Sequence, residues 1–374
     1  MELLNATNML AGYTMGMKPS GREMLVVAVK GTFHIPKHSG EQPQLCEQQI
    51  PLIEADTFTG EPGYSAPVHE VDYAPIKPHC DILLNGSAYA PDGRPTAKVQ
   101  VGMKVGAMAK SFSVIGNRFW EAGSASIGPG YAGKFDIMPI SYDNAFGGMD
   151  CRHKDGSKHS AYMPNPVGRG YHGVLDGELV DGSPMPNTEE LNRSVKIPNH
   201  SYKSMAFGPI GRGWAERLWY AGTYDDQWLA DVFPFLPADF DQRYYQAAPI
   251  DQQLSRLIGG EDVVLVNLTP EGRTYFQLPS LEVPVVFFRK KGGKEETKAV
   301  LDTLVLEPDK GLITLTWRAM IPLKKNMFEI PQILVGNKSR AWWRARELGK
   351  DYYPSLDHLI RKKKAEQAEE EVET

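Results

Sequence analysis

Between Lys98 and Val105 the chain alternates without a break: Val99, Val101, Met103 and Val105 are apolar, while Lys98, Gln100, Gly102 and Lys104 lie between them. A period of two is what a half-buried β-strand needs, because successive side chains leave opposite faces of the sheet. After a short turn, Phe112 and Val114 repeat the spacing, so residues 97–116 are expected to form a hairpin. The runs at 24–35 (MLVVAVKGTFHI) and 80–90 (CDILLNGSAYA) are rich in β-branched and aromatic residues, which suit pleated surfaces. Residues 1–122 therefore read as an N-terminal β-domain.

Strands resume at 262–269 and 274–290. A second hairpin follows, in which KAVLDTLVLE and LITLTWRAMI flank Pro308-Asp309-Lys310-Gly311. Proline early and glycine late suit a tight turn. Ile313, Leu315 and Trp317 are expected to face the core. Residues 214–338 form a second β-domain on this reading, and 249–258 and 339–349 look like short helices. The predicted fold class is mainly β: two β-sandwich-like domains joined by a long irregular insertion, with short helices and a polar helical C-terminal tail at 339–374. In that tail Arg361–Lys364 precede the glutamates Glu366, Glu369, Glu370, Glu371 and Glu373. This order opposes the helix macrodipole, so fraying is expected beyond about residue 362.

The insertion spans residues 123–213. Gly and Pro make up 23 of its 91 residues, against 41 of the other 283. Its eight Phe and Tyr residues match the chain's 10% aromatic content, and a disordered segment is usually poor in rings. An ordered segment pinned by its aromatics follows.

A net charge of −5 gives no basic surface for nucleic acid. No apolar run approaches the ~20 residues of a membrane helix, and the start MELLNATNMLAGYTMGMK makes a poor signal peptide. Three widely spaced cysteines (Cys46, Cys80, Cys151) fit reduced thiols in a cytoplasm better than a disulfide framework.

Motifs of chemistry fare poorly. GPGYAG (Gly128, Gly130, Gly133) and GRGYHG (Gly168, Gly170, Gly173) match a phosphate loop's glycine spacing. Neither has the strand before it and helix after it that the mechanism needs. Cys151, His153 and His159, with His172 beyond, have ligand types for zinc, but the loop CRHKDGSKHS carries lysines that repel a cation. No nucleophile motif occurs. No catalytic residue, cofactor or metal is expected.

Residues 219–249 hold nine aromatics and five aspartates in 31 positions. One reading is a carbohydrate-active β-sandwich protein, glycosidase or lectin, with Asp239 and Asp241 as acids and Trp219 or Trp228 stacking on sugar. The other is structural. Thr223 or Asp225 caps a short helix through Trp228, Asp239 caps the next turn, and Pro234, Pro237 and Pro249 forbid one continuous helix.

Residues 213–254, GWAERLWYAGTYDDQWLADVFPFLPADFDQRYYQAAPIDQQL, resemble the signature of the bacterial DUF2169 family (domain of unknown function 2169). The matching positions are Trp214, Arg217, Gly222, Thr223, Tyr224, Asp225, Trp228, Pro234, Pro237, Asp239, Phe240, Asp241, Ala248, Pro249 and Gln252. VKGTFHI (29–35), Asp72 to Pro78 with Asp81, GNRFW (116–120), YDNAFGGMD (142–150) and NPVGRGY (165–171) also look familial, so the likeness runs over about residues 20–330. The resemblance implies a non-enzymatic adaptor of the type VI secretion system, a chaperone that holds an effector toxin and helps load it onto the VgrG spike, often through a PAAR-repeat tip. It carries over no catalytic residue. An adaptor needs an interface of about 1,200–2,000 Å², and rings in the insertion, Phe146, Tyr162, Tyr171 and Phe207, are the expected exposed contacts.

Overall fold

The computed structural model describes residues 1–361 except 39, 125, 354 and 356. The expected fraying beyond about residue 362 lies outside the described residues. Strand outweighs helix, 36% to 14%, across several sheets that close no barrel. The fold is mainly β.

Three strands open the chain: β1 (Glu2–Asn5), β2 (Leu10–Met17) and β3 (Glu23–His34). The largest sheet has seven strands. In order these are Gln253–Leu254, Cys80–Leu84, Val300–Glu307, Leu312–Pro322, β3 and β2, with Gln44–Leu45 also on β3. Cys80–Leu84 runs parallel to Val300–Glu307, and the other pairs are antiparallel. A five-stranded sheet is ordered Thr188–Glu189, Met108–Ile115, Lys98–Val105, Asp262–Val266, Arg273–Gln277. A four-stranded sheet joins β1, Gln332–Val335, Pro284–Phe288 and Lys294–Lys298.

Both predicted hairpins form. Lys98–Val105 pairs with Met108–Ile115, and Val99, Val101, Met103 and Val105 are buried on one face. Val300–Glu307 pairs with Leu312–Pro322 around a turn in which Gly311 has φ 67°, a left-handed value that glycine adopts without strain. Ile313, Leu315 and Trp317 are buried as expected.

The sheets do not follow the boundaries drawn at 122 and 213. β3 pairs with Leu312–Pro322, and Lys98–Val105 with Asp262–Val266, so both large sheets mix strands from the two ends of the chain. One apolar core, with Val27, Val101, Phe112, Leu265 and Leu315 among its members, runs through both. Sequence order cannot reveal this, because parallel and crossover pairings are set by packing rather than by neighbouring residues.

Among its described residues the 123–213 segment is irregular, with several two-residue strands, and four of its rings pack a small core around Phe146. Phe146 sits edge-on to Tyr162, Tyr171 and Tyr202 at 5.1, 6.4 and 5.0 Å. Of the two expected helices, 339–349 forms as Arg340–Glu347, with Ser339 Oγ accepting the amide of Trp342. The helix expected over 249–258 does not form: a 3-10 turn at Ile250–Gln252 runs directly into the strand Gln253–Leu254. Sheet pairing with Cys80–Leu84 outcompetes helical propensity there.

β3 is buried on both faces. Leu25, Val27 and Val29 join the main core, while Lys30 and Thr32 face a charged layer. In that layer Lys30 pairs with Asp72 at 2.9 Å, and Arg318 pairs with Asp302 at 2.6 Å while donating to the Asp72 carbonyl.

Candidate functional site

The signature segment is an arm fastened at both ends. At its start, Trp214 is buried edge-on to Tyr142, with ring centroids 5.0 Å apart. It precedes the helical turn Ala215–Leu218, which carries Arg217. The buried Arg217 guanidinium donates to the carbonyls of Ile210 and Tyr244 and to Glu70 Oε1 at 2.7 Å. Arg212 reaches the same Glu70 oxygen at 2.8 Å and grips Asp56 with two nitrogens at 2.7 and 3.2 Å. Arg217 is buried while Glu70, Arg212 and Asp56 are half-buried, and the buried guanidinium keeps its carboxylate partner, the condition under which buried charge is tolerated. A cleft of about 290 Å³ opens beside them, lined also by Phe58, Trp214 and Pro209.

At its other end the arm closes on Asp81, which is fully buried. Its carboxylate accepts from Gln246 Nε2 at 2.6 Å and from the amides of Ala247 and Ala248 at 2.8 and 3.2 Å. Lys77 completes the set at 2.6 Å. Burial alone would lower the Lys77 pKa, but the carboxylates of Asp81, Glu70 and Asp302 outweigh it and raise it. Gln252 donates to the carbonyls of Ile82 and Phe207 and accepts from Lys110 Nζ at 2.6 Å. Lys110 also reaches Asp251 at 3.1 Å, and burial pulls its pKa down to about 8.

Between these anchors the arm is open. Asp225 caps the helix Asp226–Asp231 by accepting the amide of Trp228 at 2.8 Å. Asp239 caps no following turn; its oxygens accept the amide and hydroxyl of Thr223 at 3.0 and 2.8 Å, and the Thr223 amide bond is the chief cause of its lowered pKa. The next turn, Gln242–Tyr245, is capped instead by Asp241, which also binds the Arg243 guanidinium at 2.6 Å. Tyr224, Trp228 and Phe233 meet edge to face at 4.8 and 5.6 Å, and the Trp228 indole donates to the Phe235 carbonyl. Large apolar side chains are exposed among the acids of the arm: Trp219 is 86% exposed, Phe233 61% and Tyr224 53%, with Leu218, Leu229 and Phe235 also exposed. The Phe235 ring rests on Gly21, where a Cβ would come within 3.0 Å.

The rings expected on the surface of the insertion lie elsewhere. Phe146 and Phe207 are fully buried, and Tyr162 and Tyr171 pack against Phe146 as half-buried supports. Rings in a glycine-rich segment are what hold it together, so they are the first to be buried. Of the sugar-binding set, Trp219 is exposed and Trp228 half-buried, while Asp239 and Asp241 are engaged by Thr223 and Arg243. His153 receives the Asp155 amide and lies 3.1 Å from Lys158 Nζ, while His159 bonds the His153 carbonyl. Among the described residues, no group of three or more His, Cys, Asp or Glu is placed to hold a metal ion. Neither glycine run opens a helix. Asp56, Glu70, Lys110, Arg212 and Asp251 were not singled out from the sequence. Their ion-pair partners lie roughly 50 to 160 positions away, beyond the reach of any local spacing.

Three of the other familial stretches, at 116–120, 142–150 and 165–171, bond to one another. Asn165 Nδ2 donates to the carbonyls of Tyr142 and Phe146, Arg169 binds the carbonyl of Asp143, and the Trp120 indole donates to Gly170. This is a mainly-β protein with an aromatic arm held by buried ion pairs. The family model described as "Uncharacterized protein conserved in bacteria (DUF2169)" matches residues 20–318, and the chain belongs to that family. No curated protein and no solved structure matches it.

Proposed function

We propose that the chain is a non-enzymatic adaptor that holds a type VI secretion effector in the bacterial cytoplasm and helps load it onto a VgrG spike or its PAAR-repeat tip. The observation that carries this reading is the division of labour in the arm. Asp225, Asp239, Asp241 and the Arg217 and Arg243 guanidiniums are engaged by backbone or by neighbouring side chains, while Trp219, Tyr224, Leu229, Phe233 and Phe235 are exposed on an anchored base. Exposed aromatic clusters of this kind mark protein contacts, where large rigid rings supply most of the binding energy. The family resemblance supplies the secretion context.

Affinity capture from the native host tests it. Recovery of an effector toxin together with PAAR or VgrG proteins, lost in a Trp219→Ser/Phe233→Ser variant, supports the reading; repeated capture of none of them overturns it. The exposed Trp219 also suits a sugar-stacking ring. Saturable binding to an oligosaccharide panel, abolished by Trp219→Ser, would favour that second reading instead.

A further inference from the structure

The sheet edges of this protein differ in how they are guarded. Lys294–Lys298, the outer strand of the four-stranded sheet, exposes two lysines and two glutamates beside its threonine, and the opposite edge, β1, is four residues long with Glu2 at its start. The five-stranded sheet ends in the two-residue Thr188–Glu189 and in Arg273–Gln277, which begins with arginine. One side of the seven-stranded sheet ends in two residues, Gln253–Leu254. Shortness and charge are the usual means of keeping an edge from pairing with another chain.

β2, the other end of that sheet, has neither. It runs for eight residues, LAGYTMGM, with no charge and no proline. One side pairs with β3 along its whole length, from Leu10 opposite Lys30 to Met17 opposite Glu23. Among the described residues, no group donates to or accepts from the other side of its backbone. Tyr73 and Pro75 cover one face, over Gly12 and Gly16, while Tyr13 and Met15 each remain 36% exposed. Where β2 stops, Lys18 and Arg22 sit in a turn tied to Leu323, next to Lys324 and Lys325. Four cations thus gather at one end of the edge, against Glu23 and Glu329.

We propose that β2 is a docking edge for an extended segment of a partner protein, which joins the seven-stranded sheet as an added strand. The unpaired ladder dictates an extended backbone, Tyr13 and Met15 dictate apolar side chains at alternate positions, and the cationic end dictates an acidic residue beside it. A second copy of this chain lacks that acid: two β2 strands paired antiparallel would set each basic turn against residues 5–8 of the other, Asn-Ala-Thr-Asn. Only the identification of the partner as secretion cargo rests on the adaptor reading.

The test uses the full chain and a labelled, capped peptide of four Val-Thr repeats with two aspartates at its amino end, the end an antiparallel strand would bring to Lys18. Fluorescence anisotropy is expected to show saturable binding that weakens at least tenfold when alternate peptide amides are N-methylated. A Lys18→Glu/Arg22→Glu variant, its fold checked by circular dichroism because Arg22 also donates to the Leu323 carbonyl, is expected to bind at least fivefold more weakly and to recover with a lysine-ended peptide. Absent binding, indifference to N-methylation or indifference to the charge swap overturns the proposal. So does a concentration-dependent dimer that Tyr13→Lys/Met15→Lys dissociates, or binding seen only after residues 362–374 are removed, since another occupant then holds the edge. If host capture returns secretion proteins equally with the Lys18→Glu/Arg22→Glu variant, the adaptor reading stands and the docking edge falls. If the peptide results hold while capture returns none, the edge stands and the adaptor reading falls.

Discussion

Asp81 Oδ2 accepts the backbone amide of Ala247 at 2.8 Å across 166 positions of chain. The same carboxylate holds Lys77, so one buried side chain fixes the arm's return to the seven-stranded sheet and neutralises a buried cation. Removing it leaves the buried Lys77 ammonium with only the Thr303 hydroxyl and the amides of Ala247 and Ala248 without partners. Asp81→Ala is expected to cost about 3–5 kcal/mol, the range for breaking a buried pair, read as a lower urea midpoint at unchanged slope.

The arm's two kinds of ring predict two kinds of variant. Trp214→Ala empties a packed site and is expected to cost about 3–5 kcal/mol. Trp219→Ser and Phe233→Ser change surface positions and are expected to stay within about 0.5 kcal/mol of the parent. Thermal melts measure the first contrast, and captured partner measures the second. If Trp219→Ser melts early, the exposed ring is structural and the arm is not a contact surface.

Acid should expose Glu307. Burial pushes its carboxyl pKa up, but hydrogen bonds and charge from His69 and Lys310 more than reverse this and leave it at about 2. The folded state then binds fewer protons than the unfolded state between the ordinary value of 4.5 and about 2. Stability from this group is present above pH 4.5 and is lost as pH falls toward 2. Glu307→Gln should flatten that part of the stability curve, measured by denaturant titration at successive pH values.

Lys110 gives a slope of the same direction in a higher pH window, but at neutral pH its buried charge costs stability where that of Glu307 contributes it. Burial lowers its pKa from 10.5 to about 8, so the folded chain sheds this proton before the unfolded chain does. Stability from this group therefore rises with pH across roughly 8 to 10.5. Lys110→Met, which keeps the stem and removes the titration, should lose that rise; an unchanged slope in the variant would assign the pH dependence to other groups.

Several strands, one turn and one helix cap were legible in the residue order. Alternation at Val99–Val105, the Pro308–Gly311 turn and the Asp225 cap depend on residues within a few positions of one another, so local stereochemistry decides them. The mainly-β class follows from the same signals. The strand β2 escaped notice because its two glycines and lack of β-branched residues, Thr14 apart, weaken the period. Which rings meet solvent and which charges pair emerged only in the folded chain. Phe146 and Trp219 are both aromatics in polar, glycine-containing stretches, yet one is buried and the other 86% exposed. Glu70 with Arg217 and Asp81 with Ala247 join residues more than a hundred positions apart. Burial and long-range ion pairing depend on how sheets close around a shared core, and no local spacing encodes that closure.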